Sequence, residues 1–148
     1  MKHLILCCSL NPKSKSRVLA DVLKKALDKN GEECAIMDAS EFNFPQCDGK
    51  ECYNHESVKL LGKRILESAT ITFSAPIYNF DVNAAAKNLM ELGGTSWKGK
   101  TIAFLCSAGG NKSYMSVMPF ANSFMLDFRC IIVPKFVYAS DDAFIGEQ

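Results

Sequence analysis

Leu4-Ile5-Leu6-Cys7-Cys8-Ser9-Leu10-Asn11-Pro12-Lys13-Ser14-Lys15-Ser16-Arg17 is the stretch that decides the fold. Leu4 to Cys8 form a continuous apolar run, as expected of a strand buried on both faces. Ser9–Ser16 is polar, with hydroxyls at Ser9, Ser14 and Ser16 and lysines at Lys13 and Lys15. An amphipathic pattern begins at Arg17. The order reads strand, polar loop, helix. Unpaired N–H groups and the positive end of the helix dipole meet at such a helix start, so an anion is favoured there. On its own, such a loop is more often an ordinary helix cap. At the carboxyl end of the first strand of an open α/β sheet, it is where nucleotides and flavins place a phosphate.

The same alternation continues outward. Apolar runs predict strands at 3–8, 33–38, 70–75, 101–106 and 130–138. Between them, 17–29 places Val18, Leu19, Val22, Leu23, Ala26 and Leu27 on one helical stripe, stopped by Asn30-Gly31. Helices are also predicted over 56–68, over 83–92 before Gly93-Gly94, and over the Met-rich 113–128, expected to be buried against the sheet. Alternating strands and helices predict a parallel, doubly wound sheet with right-handed crossovers. Residues 40–55 are the longest irregular segment. After the last predicted strand only 139–148 remain, too few for a full covering helix, so that helix is expected to be missing and the last strand to lack cover on one face.

The chain has 148 residues, which fits one domain spanning 1–148. A net charge of +1 gives no case for a nucleic acid partner or an acidic membrane surface. No apolar run nears the ~20 residues that cross a bilayer, and the first motif begins too early for a signal peptide. The seven cysteines are odd in number and several lie in apolar runs. Reduced, packed thiols in a cytoplasmic protein are expected.

Ligands of open α/β sheets bind at the carboxyl ends of strands. Three segments qualify: Ser9–Ser16, Pro76-Ile77-Tyr78-Asn79-Phe80, and Ser107-Ala108-Gly109-Gly110-Asn111. The first suits a phosphate. The second offers aromatic faces at Tyr78 and Phe80. The third lets bare backbone approach a ring.

Together these motifs resemble the NAD(P)H-dependent FMN reductase family, whose members include quinone, azo-dye and chromate reductases. The family's phosphate loop, roughly Gly-Ser-x-Arg-x-x-Ser-x-Asn, is similar to Cys8–Ser16: Ser9 and Ser14 match, Asn11 stands for the arginine, and Ser16 for the asparagine. Pro76-Ile77-Tyr78-Asn79, with Lys87-Asn88 downstream, is similar to the second motif. Phe80, Asn83 and Ala84 stand where Gly and Pro-Gly are usual. Ser107-Ala108-Gly109-Gly110 matches the third. The resemblance implies a flavodoxin-like three-layer sandwich with a five-stranded parallel sheet of order 2-1-3-4-5. It implies FMN, NADPH or NADH as co-substrate, a small-molecule electron acceptor (flavin, quinone, azo compound or metal ion), and a homodimer or homotetramer. Ser9, Asn11, Ser14, Lys15 and Ser16 would hold the phosphate. Pro76 through Phe80 and Ser107 through Gly110 would hold the ring. Lys13 or Lys15 would supply the charge of the replaced arginine, without its bidentate geometry. The chemistry needs no acid–base side chain, so no catalytic residue is named.

Cys47-x4-Cys52 with His55 nearby lacks a fourth metal ligand, so no metal site is expected; loop thiols are favoured over a reversible disulfide. Lys87 and Asn88 are expected to serve packing and solubility. A cysteine-nucleophile phosphatase needs Cys-x5-Arg, and Lys13 and Ser14 stand at that spacing from Cys7 and Cys8. A Rossmann dehydrogenase needs a Gly-x-Gly-x-x-Gly that does not follow the first strand. A flavodoxin-like electron carrier and a flavin-less binding protein of the same fold are the alternatives.

Overall fold

In the computed structural model, which describes residues 2–144, the sheet is built from β1 (His3–Cys7), β2 (Cys34–Asp38), β3 (Thr70–Tyr78) and β5 (Thr101–Ser107). All four run parallel, in the order β2-β1-β3-β5, and two short segments, β6 (Ile131–Ile132) and β7 (Val137–Ala139), extend the β5 edge in parallel. With β6 and β7 taken as one interrupted strand, this is the expected 2-1-3-4-5 order.

Side chains alternate across the sheet as the period of two requires. Ile5 and Cys7 face α1 (Lys15–Lys29), where Ala20, Leu23 and Leu27 cover them. Leu4, Leu6, Ile71, Phe73, Ile102 and Phe104 face the opposite layer. That layer is made of α2 (Glu56–Leu66), α3 (Ala84–Gly93) and α4 (Met118–Phe128). The result is a three-layer α/β/α sandwich. Phe73 is the centre of the larger layer: the rings of Trp97, Phe104, Phe120 and Phe124 lie 5.4, 6.2, 5.2 and 5.1 Å from its own. Trp97 donates its indole N–H to the Met90 carbonyl at 2.8 Å. It packs so close to α3 that a Cβ on Gly93 would fall 2.4 Å from its ring, which leaves room for glycine alone.

Four expectations need correction. The last strand, predicted as one run over 130–138, is interrupted. Five steps from Ile132 to Val137 face three steps from Ile102 to Leu105 on β5, so the edge bulges. Pro134 in this bulge has no N–H to give the ladder. The stripe of α1 is rotated from prediction: Val22 is 60 % exposed, while Ser16 and Ala20 are fully buried. The Ser74 hydroxyl donates to the Ser16 carbonyl at 2.5 Å and draws that turn onto the sheet. The Met-rich segment forms a 3-10 turn (Tyr114–Val117) and then α4, and only one face is buried. Phe120, Ala121 and Phe124 point inward; Met115, Met118, Met125 and Leu126 are exposed. Finally, β3 runs on to Tyr78, and a two-residue turn at Asn79-Phe80 returns the chain as β4 (Asp81–Val82).

After β7 the chain forms a 3-10 turn, Asp141–Phe144, beside the start of α1. The rest of the predicted tail, 145–148, lies outside the described residues.

Candidate functional site

The loop after β1 is shaped by its own side chains. The Ser9 hydroxyl accepts from the Asn11 N–H at 3.2 Å, and the Asn11 side-chain carbonyl accepts from the Lys13 N–H at 3.0 Å. These local bonds are the usual way in which Ser and Asn stabilise non-helical backbone. The root of the loop is anchored twice. Cys8 donates its N–H to the Ser74 carbonyl at 2.9 Å, and the Asn83 amide donates to the Cys8 carbonyl at 2.7 Å. Ser14 is the residue capping α1, in extended backbone, and its hydroxyl makes no capping bond. It instead lies 2.5 Å from the Ser16 hydroxyl. The Ser14 carbonyl accepts the Arg17 N–H at 3.1 Å, and the N–H groups of Lys15 and Ser16 have no hydrogen-bond partner among the described residues, as at an uncapped helix start.

These residues border a cavity of about 250 Å³ at the carboxyl ends of the strands. Ser9, Asn11, Ser14 and Lys15 line one side. Pro76, Ile77, Tyr78, Ser107, Ala108 and Gly109 line the other. Ile77, Ala108 and Gly109 are shared with an adjoining groove of about 410 Å³, which Asn79, Phe80 and Gly110 continue. Three segments far apart in sequence thus border two joined spaces. Ser16 alone among the predicted site residues lies elsewhere: it is wholly buried behind Ser14 and reaches the cavity only through that hydroxyl. A larger groove of about 900 Å³ runs between α2 and the Gly93–Ser96 segment, but its walls are mainly apolar. The smaller cavity at the strand ends brings the hydroxyls of Ser9 and Ser14 and the ammonium groups of Lys13 and Lys15 to a helix start, a donor set that suits a phosphate.

Two features of the rim escaped sequence reasoning. Tyr138 of β7 donates its hydroxyl to the Gly110 carbonyl and lies 2.7 Å from the Ser113 hydroxyl, so the edge of the sheet pins the Gly109-Gly110 loop. Asp141 reaches back into the phosphate-sized cavity, where its carboxylate lies 2.9 Å from the Lys15 ammonium. Nothing in the local pattern around Tyr138 or Asp141 announces either contact; both follow from the path of the chain after β7.

The cations at the site are lysines. Arg17 is committed elsewhere: its guanidinium lies 2.6 Å from Asp38 and 3.1 Å from Asp21, and the Asp38 bond holds it firmly charged. Lys13 has no ion pair among the described residues and lines the cavity. The neighbouring thiols take no part. Burial pushes Cys7 and Cys106 up to about 12 and Cys8 well above its ordinary value, so all three stay protonated and inert at neutral pH.

The residues present fit a phosphorylated flavin. Hydroxyls, lysines and a helix start meet at one end. At the other, a Cβ built on Gly109 or Gly110 would meet nothing within 4 Å, so the backbone of both opens directly on the groove. Tyr78 and Phe80 stand 53 % and 67 % exposed at the rim. Phe80 is also strained. Asn79 and Phe80 have φ of 51° and 63°, the two left-handed residues of a hairpin turn whose second position favours glycine. Asn tolerates this conformation, whereas a bulky side chain in it costs about 1–2 kcal/mol.

Sheet order, layering and a polar cavity at the strand ends define a flavodoxin-like α/β protein. The profile of the NADPH-dependent FMN reductase family matches residues 1–144, and the chain belongs to that family. It is accordingly an oxidoreductase that uses FMN, with NAD(P)H as the electron donor. Among solved structures, it is similar to the flavoenzyme NAD(P)H:(acceptor) oxidoreductase FerB from Paracoccus denitrificans. The two share 20 % identity over 99 % of this chain and 84 % of that one, with a TM-score of 0.79. An azoreductase from Bacillus anthracis shares 14 % identity over 97 % of this chain and 88 % of its own, at a TM-score of 0.74. An NAD(P)H:quinone oxidoreductase from Methanothermobacter marburgensis shares 19 % over 100 % and 89 %, at 0.70. At these identities the likeness speaks for the fold. No curated protein matches the chain.

Proposed function

We propose that the joined cavities at the strand ends hold FMN, and that the chain passes electrons from NAD(P)H to a small acceptor such as a free flavin, quinone, azo compound or metal ion. The observation that carries this reading is that the α1 start and Gly109 line one cavity, which adjoins the groove lined by Gly109 and Gly110. Bound FMN would supply the two-electron chemistry. The chain's own part is binding and orientation. Ser9, Ser14, Lys13, Lys15 and the first-turn N–H groups of α1 hold the phosphate. Asn11 shapes the loop, and Ser16 orients Ser14. Pro76, Ile77, Ser107 and Ala108 wall the space between phosphate and ring. Gly109 and Gly110 approach the ring edge. Tyr78, Asn79 and Phe80 form the rim, where a nicotinamide and then an acceptor would enter in turn.

Initial rates of NADH and NADPH oxidation by the FMN-loaded protein test this with a panel of the four acceptor classes. Parallel double-reciprocal lines, as in alternate use of one site, are expected with at least one class. Absence of oxidation with all of them would overturn the assignment. We further propose one domain over 1–148, located in the cytoplasm. The exposed apolar side chains of α4, Met118, Met125 and Leu126, support a homodimer or homotetramer.

Two substitutions probe the rim. Asp141 holds Lys15 through a half-exposed pair, worth at most about 1 kcal/mol. It also sets a negative charge where the phosphate is proposed to bind. Asp141→Asn should tighten FMN binding about fivefold, read by equilibrium dialysis; unchanged or weaker binding would place the phosphate elsewhere. Phe80→Gly should raise stability by about 0.5–1 kcal/mol, the relief of strain less the added freedom of the unfolded chain. The same change should weaken FMN binding severalfold by removing an aromatic contact of about 1 kcal/mol. Urea midpoints and flavin titration give the two readings.

A further inference from the structure

The irregular segment between β2 and α2 carries a second arrangement of redox-capable groups. Cys47 and Cys52 are brought together: the Cys52 thiol donates toward the Cys47 sulfur at 3.9 Å, the one sulfur–sulfur hydrogen bond among the described residues. The Tyr53 hydroxyl lies 3.7 Å from the Cys47 sulfur and can donate to it as well. Two donors thus converge on the Cys47 sulfur.

The scaffold around the pair is built. Asp48 accepts from the N–H groups of Lys50 and Cys52 at 2.9 and 3.0 Å, and these bonds hold its carboxyl down to about 2. Gly49, at φ +75°, makes the reversal that returns Cys52 to Cys47. Asn88 of α3 accepts from the Cys47 N–H and donates to the Pro45 carbonyl, both at 2.9 Å. Asn88 therefore does more than pack: it fixes the backbone that carries Cys47. Access is unequal. Cys52 is 4 % exposed and Cys47 is half-buried, at the meeting of two surface grooves of about 550 and 780 Å³.

We propose that Cys47 and Cys52 are a redox-active dithiol that reduces low-molecular-weight disulfides and is itself converted reversibly to an intrachain disulfide. The Cys47 thiolate attacks one sulfur of the disulfide R–S–S–R; that bond breaks, R–S⁻ leaves, and a mixed disulfide remains on Cys47. Cys52 then attacks the Cys47 sulfur, forms the intrachain bond and releases the second R–S⁻. Two thiols have been oxidised by two electrons and one disulfide reduced to two thiols. The protons lost by Cys47 and Cys52 balance those taken up by the leaving groups. The more accessible sulfur is the attacking one, and the buried one resolves. This differs from the favoured sequence reading of unrelated loop thiols, because spacing alone did not reveal the sulfur–sulfur approach.

The test uses the full-length, FMN-loaded protein in glutathione buffers of graded redox ratio, followed by acid quench, alkylation and peptide mass mapping. Cys47 and Cys52 should leave the alkylated pool together, joined in one peptide two hydrogens lighter, and return on addition of a dithiol. C52S should accumulate glutathione on Cys47, and C47S about tenfold less on Cys52. Unchanged far-ultraviolet circular dichroism and urea midpoints in both variants show that they are folded, a control that holds whether or not FMN binds. The proposal is overturned if both thiols stay fully alkylated across the series, if glutathione settles on other cysteines, or if the two single variants are modified equally.

Discussion

Ser14→Asp is expected to abolish FMN binding at micromolar flavin while leaving the fold intact. Ser14 is buried beside the cavity, its hydroxyl next to that of Ser16. A carboxylate there would stand close to the proposed phosphate. Two unit charges near 4 Å apart at an effective dielectric constant of about 20 repel by about 4 kcal/mol. That corresponds to a loss of roughly a thousandfold in affinity. The fold should tolerate the change because Asp is among the preferred residues at a helix cap and its charge suits the helix dipole. Only the Ser14–Ser16 hydrogen bond is lost, about 1 kcal/mol. Ser14→Ala, which removes the hydroxyl without adding charge, should cost FMN binding only about fivefold. Riboflavin, which has no phosphate, should bind wild type and Ser14→Asp alike. Fluorescence titration of the three proteins with both ligands reads all of these outcomes. Equal FMN affinity in wild type and Ser14→Asp would remove the phosphate from this loop.

Phe73→Ala should be the most damaging single change to stability. Phe73 is fully buried in β3 and meets four aromatic rings from both sides of the sheet–helix boundary. Truncation leaves a cavity that Trp97, Phe120 and Phe124 fill only by leaving their present geometry. Phe→Ala at such a site costs about 3–5 kcal/mol, a large part of the ~5–15 kcal/mol that holds a domain folded. For a chain of this size the melting temperature should fall by roughly 10–15 °C. Phe73→Leu, which keeps most of the volume, should cost under about half as much. A fall of less than about 1 kcal/mol in urea titrations for Phe73→Ala would show that the aromatic cluster is not the core it is described as.

What could be read from the residues follows from physical constraint. Strand β1 lies between two layers and carries apolar residues on both faces, while β3 shows its apolar residues Ile71, Phe73 and Ala75 on one face and hides Thr72 and Ser74 on the other. The loop after β1 is legible because a helix start calls for hydroxyls and because an open sheet directs ligands to its strand ends. Contacts that depend on where distant chain ends arrive leave no such mark. Asp141 meets Lys15 only because the chain turns back after β7, and Tyr138 reaches Gly110 only because β7 pairs with β5. The Asn79-Phe80 turn was hidden by its second residue: a glycine there would have announced the hairpin, and Phe80 does not. The rotation of α1 was hidden for the opposite reason, since Ser16 is a polar residue buried by hydrogen bonds rather than by apolarity. Pro134 did mark the break in the last strand, and the apolar run around it outweighed that mark.

The proposed anchor of the flavin is its phosphate, held at the start of α1. The most direct measurement is the ratio of FMN to riboflavin affinity for the wild-type chain, taken by fluorescence quenching. Several charge-assisted hydrogen bonds of about 1.5–3 kcal/mol each at the phosphate predict FMN tighter by at least about a hundredfold. They also predict that part of this advantage is lost as salt is raised. Equal affinities for the two flavins, or failure of both to bind, would show that the start of α1 holds no flavin phosphate.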